Sequence, residues 1–288
     1  MEDIIYQPET DPEMVEEEQK KAEPPAPKGQ PVDMAKVQDK SYVKNKYYII
    51  DRRTDLTENL IDIPGYLSKD FALDSAVKEP QVLIFHTHSC EGFVDSDMSK
   101  GMEEGIYGAG ERLKQLLKEK YGINAIHHNG QYDVVNGKNS ILGAYERMEP
   151  DIQQILKENP SIQVVIDMHR DGVAEDTKLV TEVNGKPCAQ IMFFNGICQL
   201  YQDGVVQPLT DLPNPYVKDN LAFSFQMKAA ADELYPGFAQ KIYVNAYRYS
   251  LHMRPRSTLI EVGAQTNTKE EIWNAMEPLA DILATVLQ

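Results

Sequence analysis

Apolar residues along the chain fall into runs that alternate between strand and helix patterns. Gln81-Val82-Leu83-Ile84-Phe85 and Ile162 to Met168, the latter with Gln163 and Asp167 in it, are dominantly apolar stretches of strand length, the pattern of strands covered on both faces. Between them, a helix is predicted from about Glu103, with Ile106, Gly110, Leu113 and Leu117 at helical spacing and a stop at Tyr121-Gly122. A second helix carries Ile141, Tyr145, Met148, Ile152 and Ile155 and closes at Asn159-Pro160. Shorter runs at Tyr47-Tyr48-Ile49-Ile50 and Gly122 to Ile126 also read as strands.

The C-terminal half repeats the alternation. Thr177 to Val183 and Ala189 to Asn195 flank Asn184-Gly185, the signature of a β-hairpin turn. A helix over about Tyr216 to Leu234, a strand over Lys241 to Tyr247 and a strand over Ser257 to Val262 follow. The last helix places Ile272, Met276, Leu279, Leu283 and Val286 on one face. Strands alternating with amphipathic helices predict an α/β fold with a mostly parallel sheet flanked by helices. There is no internal repeat.

Composition sets the limits. The 288 residues are 42% hydrophobic and 26% charged, an ordinary globular balance. Residues 1–42 depart from it, with six prolines between Pro8 and Pro31 and the run Glu16-Glu17-Glu18. Such a segment buries too little apolar surface to offset its ordering entropy, so 1–42 reads as an acidic flexible tether and 43–288 as the catalytic-sized domain. The net charge of −16 argues against nucleic acid as a partner. No apolar run reaches about 18 residues, and Met1-Glu2-Asp3-Ile4-Ile5 has no secretory-signal pattern, so the sequence as given reads as a soluble polypeptide. Three cysteines, Cys90, Cys188 and Cys198, allow at most one bridge, Cys188 to Cys198; buried free thiols are the favoured reading.

Chemistry gathers where three strands end. One runs into His86-Thr87-His88-Ser89-Cys90-Glu91, the next into Asp167-Met168-His169-Arg170-Asp171, and a late one into Glu261-Val262-Gly263. Sites in open α/β sheets lie beyond the carboxyl ends of the strands, so these segments can share one crevice. His88-x-x-Glu91 can face one cation, and a distant His169 completes the His2Glu set of catalytic zinc sites. Zn2+ is therefore the expected cofactor. Glu261 is then the candidate general base, and Arg170 a candidate for steadying a carboxylate or the developing oxyanion, against a plain ion pair with Asp171. His86 is an alternative ligand, a packing residue or a substrate contact. Asp167 shares a strand face with His169 and could orient a neighbour or cap the sheet end. His127-His128 follows another strand end, with a solvated loop pair as the bland alternative.

With these residues in hand, the chain resembles the stage II sporulation protein P family. The resemblance spans roughly residues 78–288. It is carried by Val82 to Glu91, by Pro160 to Gly172, by Asn214-Pro215-Tyr216 with Asn220-Leu221-Ala222, and by Leu259 to Gly263 with Thr266-Asn267-Thr268. It implies a zinc N-acetylmuramoyl-L-alanine amidase with a phosphorylase/hydrolase-like fold, cleaving peptidoglycan during engulfment. The family's ligands fall on His88, Glu91 and His169, its catalytic glutamate on Glu261, and His86 and Asn220 become candidate substrate contacts. A membrane-anchored, extracytoplasmic setting and stage II sporulation proteins D and M as partners are implied too. Cys90 stands where serine or threonine is expected.

Other chemistries weigh less. No G-x-S-x-G elbow is present. A Cys90 nucleophile with His88 or His169 is the second enzymatic reading, and a catalytically inactive amidase-fold module that binds cell-wall glycan or a sporulation partner is the non-enzymatic one. The Asn184-Gly185 hairpin and the polar stretch 199–215 could wall the crevice, though ordinary packing excursions are the preferred reading.

Overall fold

The computed structural model describes residues 22–288. The first 21 residues of the expected tether lie outside the described residues. Residues 22–42 lie against the body: Ala22 N–H donates to the Lys120 carbonyl, Lys28 and Gly29 N–H to that of Glu233, and Val37 is buried. The expected boundary at residue 42 falls inside the first helix, α1 (Lys40–Tyr47), which is capped by the Asp39 carboxylate.

After α1 come β1 (Tyr48–Ile50), α2 (Ile63–Leu67), β2 (Val82–Phe85), α3 (Ile106–Tyr121) and β3 (Ala125–His127). The short pair β4 (Val134–Val135) and β5 (Lys138–Asn139) precedes α4 (Ala144–Glu158) and β6 (Val164–Asp171). Two hairpins frame a central strand: β7 (Val180–Val183) with β8 (Lys186–Ala189), then β9 (Ile191–Gly196), then β10 (Gln199–Gln202) with β11 (Val205–Pro208). The chain ends with α5 (Val217–Leu234), β12 (Ile242–Asn245), β13 (Arg256–Ala264) and α6 (Lys269–Leu287).

Seven strands form one sheet in the order β1-β12-β9-β13-β6-β2-β3, and only the β9–β13 pairing is antiparallel. The expected α/β fold with a mostly parallel sheet is the observed one. Both faces are covered, which is why β2 is apolar at every position. Val82 and Ile84 face a core with Val164, Ile166, Leu113, Leu117 and Leu279 from α3 and α6, while Leu83 and Phe85 face Val165, Met148 and Ile152 of α4. Strands β13, β6 and β2 are parallel neighbours, so their carboxyl ends lie on one edge of the sheet.

Helix ends follow local chemistry. The left-handed Gly122 (φ 65°) stops α3. A capping box between Thr268 and Glu271 starts α6. The second helix begins at Ala144 rather than near Ile141, because Gly143 adopts φ 79° and leaves Ile141 and Leu142 exposed.

The structure corrects several expectations. Asn184-Gly185 does turn a hairpin, with both φ positive, but its return arm ends at Ala189. The apolar residues beyond it form β9 in the main sheet, where two covered faces bury more of Phe193 and Ile191 than a surface hairpin could. This hairpin packs on α6 through Asn274 to the Pro187 carbonyl, the ordinary excursion. The polar stretch 199–215 contains the hairpin β10–β11. All three cysteines are free thiols.

Candidate active site

The segment after β2 leaves the sheet and crosses the end of β6. It is anchored by Asp167, a fully buried carboxylate whose Oδ1 accepts from Thr87 N–H at 2.9 Å and whose Oδ2 accepts from the Thr87 hydroxyl at 2.7 Å. Asp133 holds the next turn, accepting from the Ser89 hydroxyl at 2.6 Å and from Cys90 N–H at 3.0 Å. His88 and Glu91 are thereby carried to His169 near the end of β6.

His88, Glu91 and His169 each present a ligand atom within 4.8 Å of the others. Glu91 Oε1 lies 3.5 Å from His169 Nδ1 and 3.6 Å from His88 Nδ1, and the two imidazoles meet edge to face at 5.0 Å. His169 Nε2 donates to Asp167 Oδ1 at 2.8 Å, which fixes the ring and leaves Nδ1 turned to the cluster. A carboxylate behind a histidine is how metal-ligating imidazoles are usually oriented.

The electrostatics fit a cation. Burial works against charge on His169, yet the Asp167 and Glu91 carboxylates outweigh it and raise its pKa well above the ordinary imidazole value. Burial likewise pushes Glu91 up, but the facing His169 and its hydrogen bonds hold it at about 2. A proton on His169 Nδ1 thus balances the same acidic groups that a metal ion would. His88 Nε2 is buried without a hydrogen-bond partner among the described residues, an unmet capacity that a metal bond would satisfy. Two imidazoles and one carboxylate are the donor set of open catalytic zinc sites.

Glu261 stands on β13 in register with His169. The pairing slips directly after it, at a bulge where Gly263 has φ 58° and where an added Cβ would come within 2.8 Å of Asn267 Oδ1. The Glu261 Oε2 atom is buried with no hydrogen-bond partner among the described residues. Burial is the main reason its pKa rises to about 8; Glu91, Asp171 and Asp167 push the same way, against the pull of His169. The structure therefore brings together the three expected ligands and the expected base.

Other candidates land elsewhere. Arg170 N–H donates to Glu91 Oε2 at 2.8 Å, while its guanidinium donates to the carbonyls of Gly92 and Asp171. It clamps the Glu91 segment, and its contact with Asp171 is to the backbone rather than an ion pair. His86 shares the face of Ile84, so it is buried under α3 and does not reach the crevice. Its Nδ1 donates to the Met168 carbonyl at 2.7 Å, and its Nε2 meets His127 Nε2 at 2.9 Å. His127 in turn meets Glu111 at 3.0 Å, and His128 meets the Tyr132 hydroxyl at 2.7 Å. Asn220 is buried on α5 and donates to the carbonyls of Arg254 and Pro255, just before β13 begins. That is the opposite edge of the sheet, where Asn220 ties α5 to the segment that enters β13. Burial and the nearby Asp133 raise the pKa of Cys90, which disfavours a thiolate nucleophile.

Beside His88 opens a cleft of about 400 Å³, with Ile141, Leu142, Tyr145, Tyr247 and Tyr249 among its walls and Leu212 from the polar stretch closing one side. The sequence pattern places Ile141 and Tyr145 in a helix core and Tyr247 at the end of a strand, and gives Tyr249 no role. The one available signal was the tyrosine-rich segment after a strand end.

The sequence pattern described as Stage II sporulation protein P matches residues 2–284. The chain belongs to that family. It is 23% identical over 234 residues to Stage II sporulation protein P of Bacillus subtilis (strain 168), covering 73% of this chain and 54% of the relative, so it spans about half that protein's length. Among solved structures, N-acetylmuramoyl-L-alanine amidase AmiC2 of Nostoc punctiforme is similar over 73% of this chain and 96% of its own, at 12% identity and a TM-score of 0.40. The CwlD amidase of Clostridioides difficile, solved in complex with the GerS lipoprotein, is similar over 71% and 96%, at 12% identity and a TM-score of 0.43. Among the described residues no helix is long and apolar enough to cross a membrane.

Proposed function

We propose that the chain is a zinc-dependent N-acetylmuramoyl-L-alanine amidase, a peptidoglycan hydrolase that splits the amide between N-acetylmuramic acid and L-alanine. The observation that carries this reading is the convergence of His88, Glu91 and His169 with Glu261 at the carboxyl ends of three neighbouring parallel strands. A zinc ion held by the three ligands would polarise the scissile carbonyl and acidify a water molecule at neutral pH.

This chain's own residues do the rest. Asp167 holds the Nε2 proton of His169 so that Nδ1 stays free to ligate. Arg170 N–H fixes Glu91 Oε2 and leaves Oε1 facing the histidines. Glu261 Oε2, raised in basicity by its dry surroundings, takes a proton from the attacking water as the new C–O bond forms. The carboxyl then passes that proton to the departing L-alanine nitrogen as the C–N bond breaks, so the base is restored within one cycle.

Family membership supports a role in engulfment during endospore formation, on the extracytoplasmic side of a membrane to which the protein is anchored, alongside stage II sporulation proteins D and M. An inactive wall-binding module would have no use for a buried, unpartnered carboxyl such as Glu261. Elemental analysis of the purified protein tests the reading: one zinc per chain is expected, lost in both His88→Ala and His169→Ala together with peptidoglycan solubilisation. A protein that solubilises peptidoglycan equally well after complete chelation would defeat it.

A further inference from the structure

We infer that the cleft beside His88 holds the glycan strand, the neutral N-acetylated sugar rings on the acyl side of the scissile amide, and not the stem peptide; this rests on the amidase reading. The cleft adjoins a metal ligand directly, since His88 and Tyr145 are both in its wall with ring centroids 5.8 Å apart. Whatever fills it is therefore joined to the reacting carbonyl.

Its charges offer no free cation to the stem peptide, which carries free carboxylates. Arg248, the cation in the wall, is already paired with Glu149 at 2.6 Å, and His252 shares the same carboxylate. Glu146 is exposed and has no ion pair among the described residues. The neighbouring Arg147 is taken up by three backbone carbonyls, so neither guanidinium is free to receive an anion, while a neutral ligand is tolerated.

Its surface suits a sugar ring, which offers apolar C–H faces and a rim of hydroxyl and acetamido groups. Tyr145 and Tyr249 meet edge to face at 5.5 Å, giving rigid aromatic walls. The hydroxyls of Tyr145, Tyr247 and Tyr249 make no hydrogen bond within the protein among the described residues, so they are open to a ligand's polar rim. Leu142 is 91% exposed at the mouth. Its loop is nevertheless fixed, because Arg147 donates to the carbonyls of Tyr132, Ser140 and Leu142. A pinned, exposed leucine among tyrosines is a built contact rather than a loose loop tip.

Equilibrium binding of peptide-free glycan oligomers, with free stem peptide as competitor, tests the inference. Leu142→Ala and Tyr247→Ala both lie at the surface, and their thermal unfolding verifies that the fold is kept. The wild-type chain is expected to bind the glycan, each variant to bind it roughly tenfold more weakly, and stem peptide not to compete. The assignment is overturned if wild type does not bind the glycan, if both variants bind as wild type does, or if stem peptide displaces the glycan. Release of stem peptides from peptidoglycan by wild type is measured in parallel. Its absence counts against the amidase reading, while glycan binding answers for the cleft.

Discussion

Replacing Asp167 by asparagine changes one charge while keeping the shape that the end of β6 is built around. Oδ1 accepts from both Thr87 N–H and His169 Nε2, and Oδ2 accepts from the Thr87 hydroxyl. An asparagine with its oxygen at the Oδ1 position keeps the first two bonds, and its amide can donate to the Thr87 hydroxyl oxygen in place of the third. What is lost is the charge assistance to His169. Hydrogen bonds to charged groups contribute about 1.5–3 kcal/mol and neutral ones about 0.5–1.5, so the ligand loses on the order of 1–1.5 kcal/mol of support. That corresponds to roughly tenfold weaker zinc binding, at the low end of the 10–100-fold range common for such supporting carboxylates. Competition against a chromogenic chelator measures it, with His169→Ala as the control for a lost ligand. If Asp167→Asn binds zinc within twofold of wild type, Asp167 serves Thr87 alone and its role behind His169 is wrong.

Three further outcomes follow from the same structure. Gly110→Ala in α3 puts a Cβ within 2.7 Å of both His86 Nε2 and His127 Nε2, so denaturant unfolding should show a loss of about 1–3 kcal/mol; an unchanged midpoint would contradict that close approach. Thr268→Ala removes the hydroxyl half of the capping box of α6 and should cost about 1 kcal/mol by the same method, whereas Thr268→Ser should cost little. The Asp51 carboxyl is held at about 2, below its ordinary 3.8, chiefly by hydrogen bonds from the Arg53 guanidinium. A depressed carboxylate stabilises the fold above its unfolded pKa and ceases to do so as pH falls through the folded value. The stability difference between wild type and Arg53→Ala should therefore be constant above about pH 5 and shrink between pH 4 and 2, and a difference independent of pH would refute the pairing.

The parts of the fold written in dominantly apolar runs were legible from sequence. Covered parallel strands need apolar residues on both faces, so Val82 to Phe85 and Ile162 to Met168 identified themselves, and the polar residues that end them became the site. His88, Glu91, His169 and Glu261 were reachable by that logic alone. His86 was left open between ligand, packing residue and substrate contact; the period of two sets it on the face of Ile84, towards α3, where it packs against Met168 and His127. Asn220, a candidate only through the resemblance, lies on α5 at the opposite edge of the sheet, and which edge a helix residue serves is set by packing that the sequence does not display. The reversal of β9 relative to β13 was invisible, since direction depends on how the chain returns through the polar stretch 199–215 and α5. The tyrosine walls were missed for a related reason. Tyr145 lies on a helix face that reads as core, and only the left-handed turn at Tyr249, with φ 53°, brings the two rings together.

Mass analysis of the products from purified peptidoglycan, treated with zinc-loaded wild type and with Glu261→Gln, tests the central claim most directly. Wild type should release stem peptides with a free L-alanine amino terminus and leave N-acetylmuramic acid with a free lactyl carboxyl. Glu261→Gln should retain its zinc and its fold while losing at least 100-fold in rate, as expected for removal of a general base. Cleavage at another bond, or equal rates for the two proteins, would contradict the account.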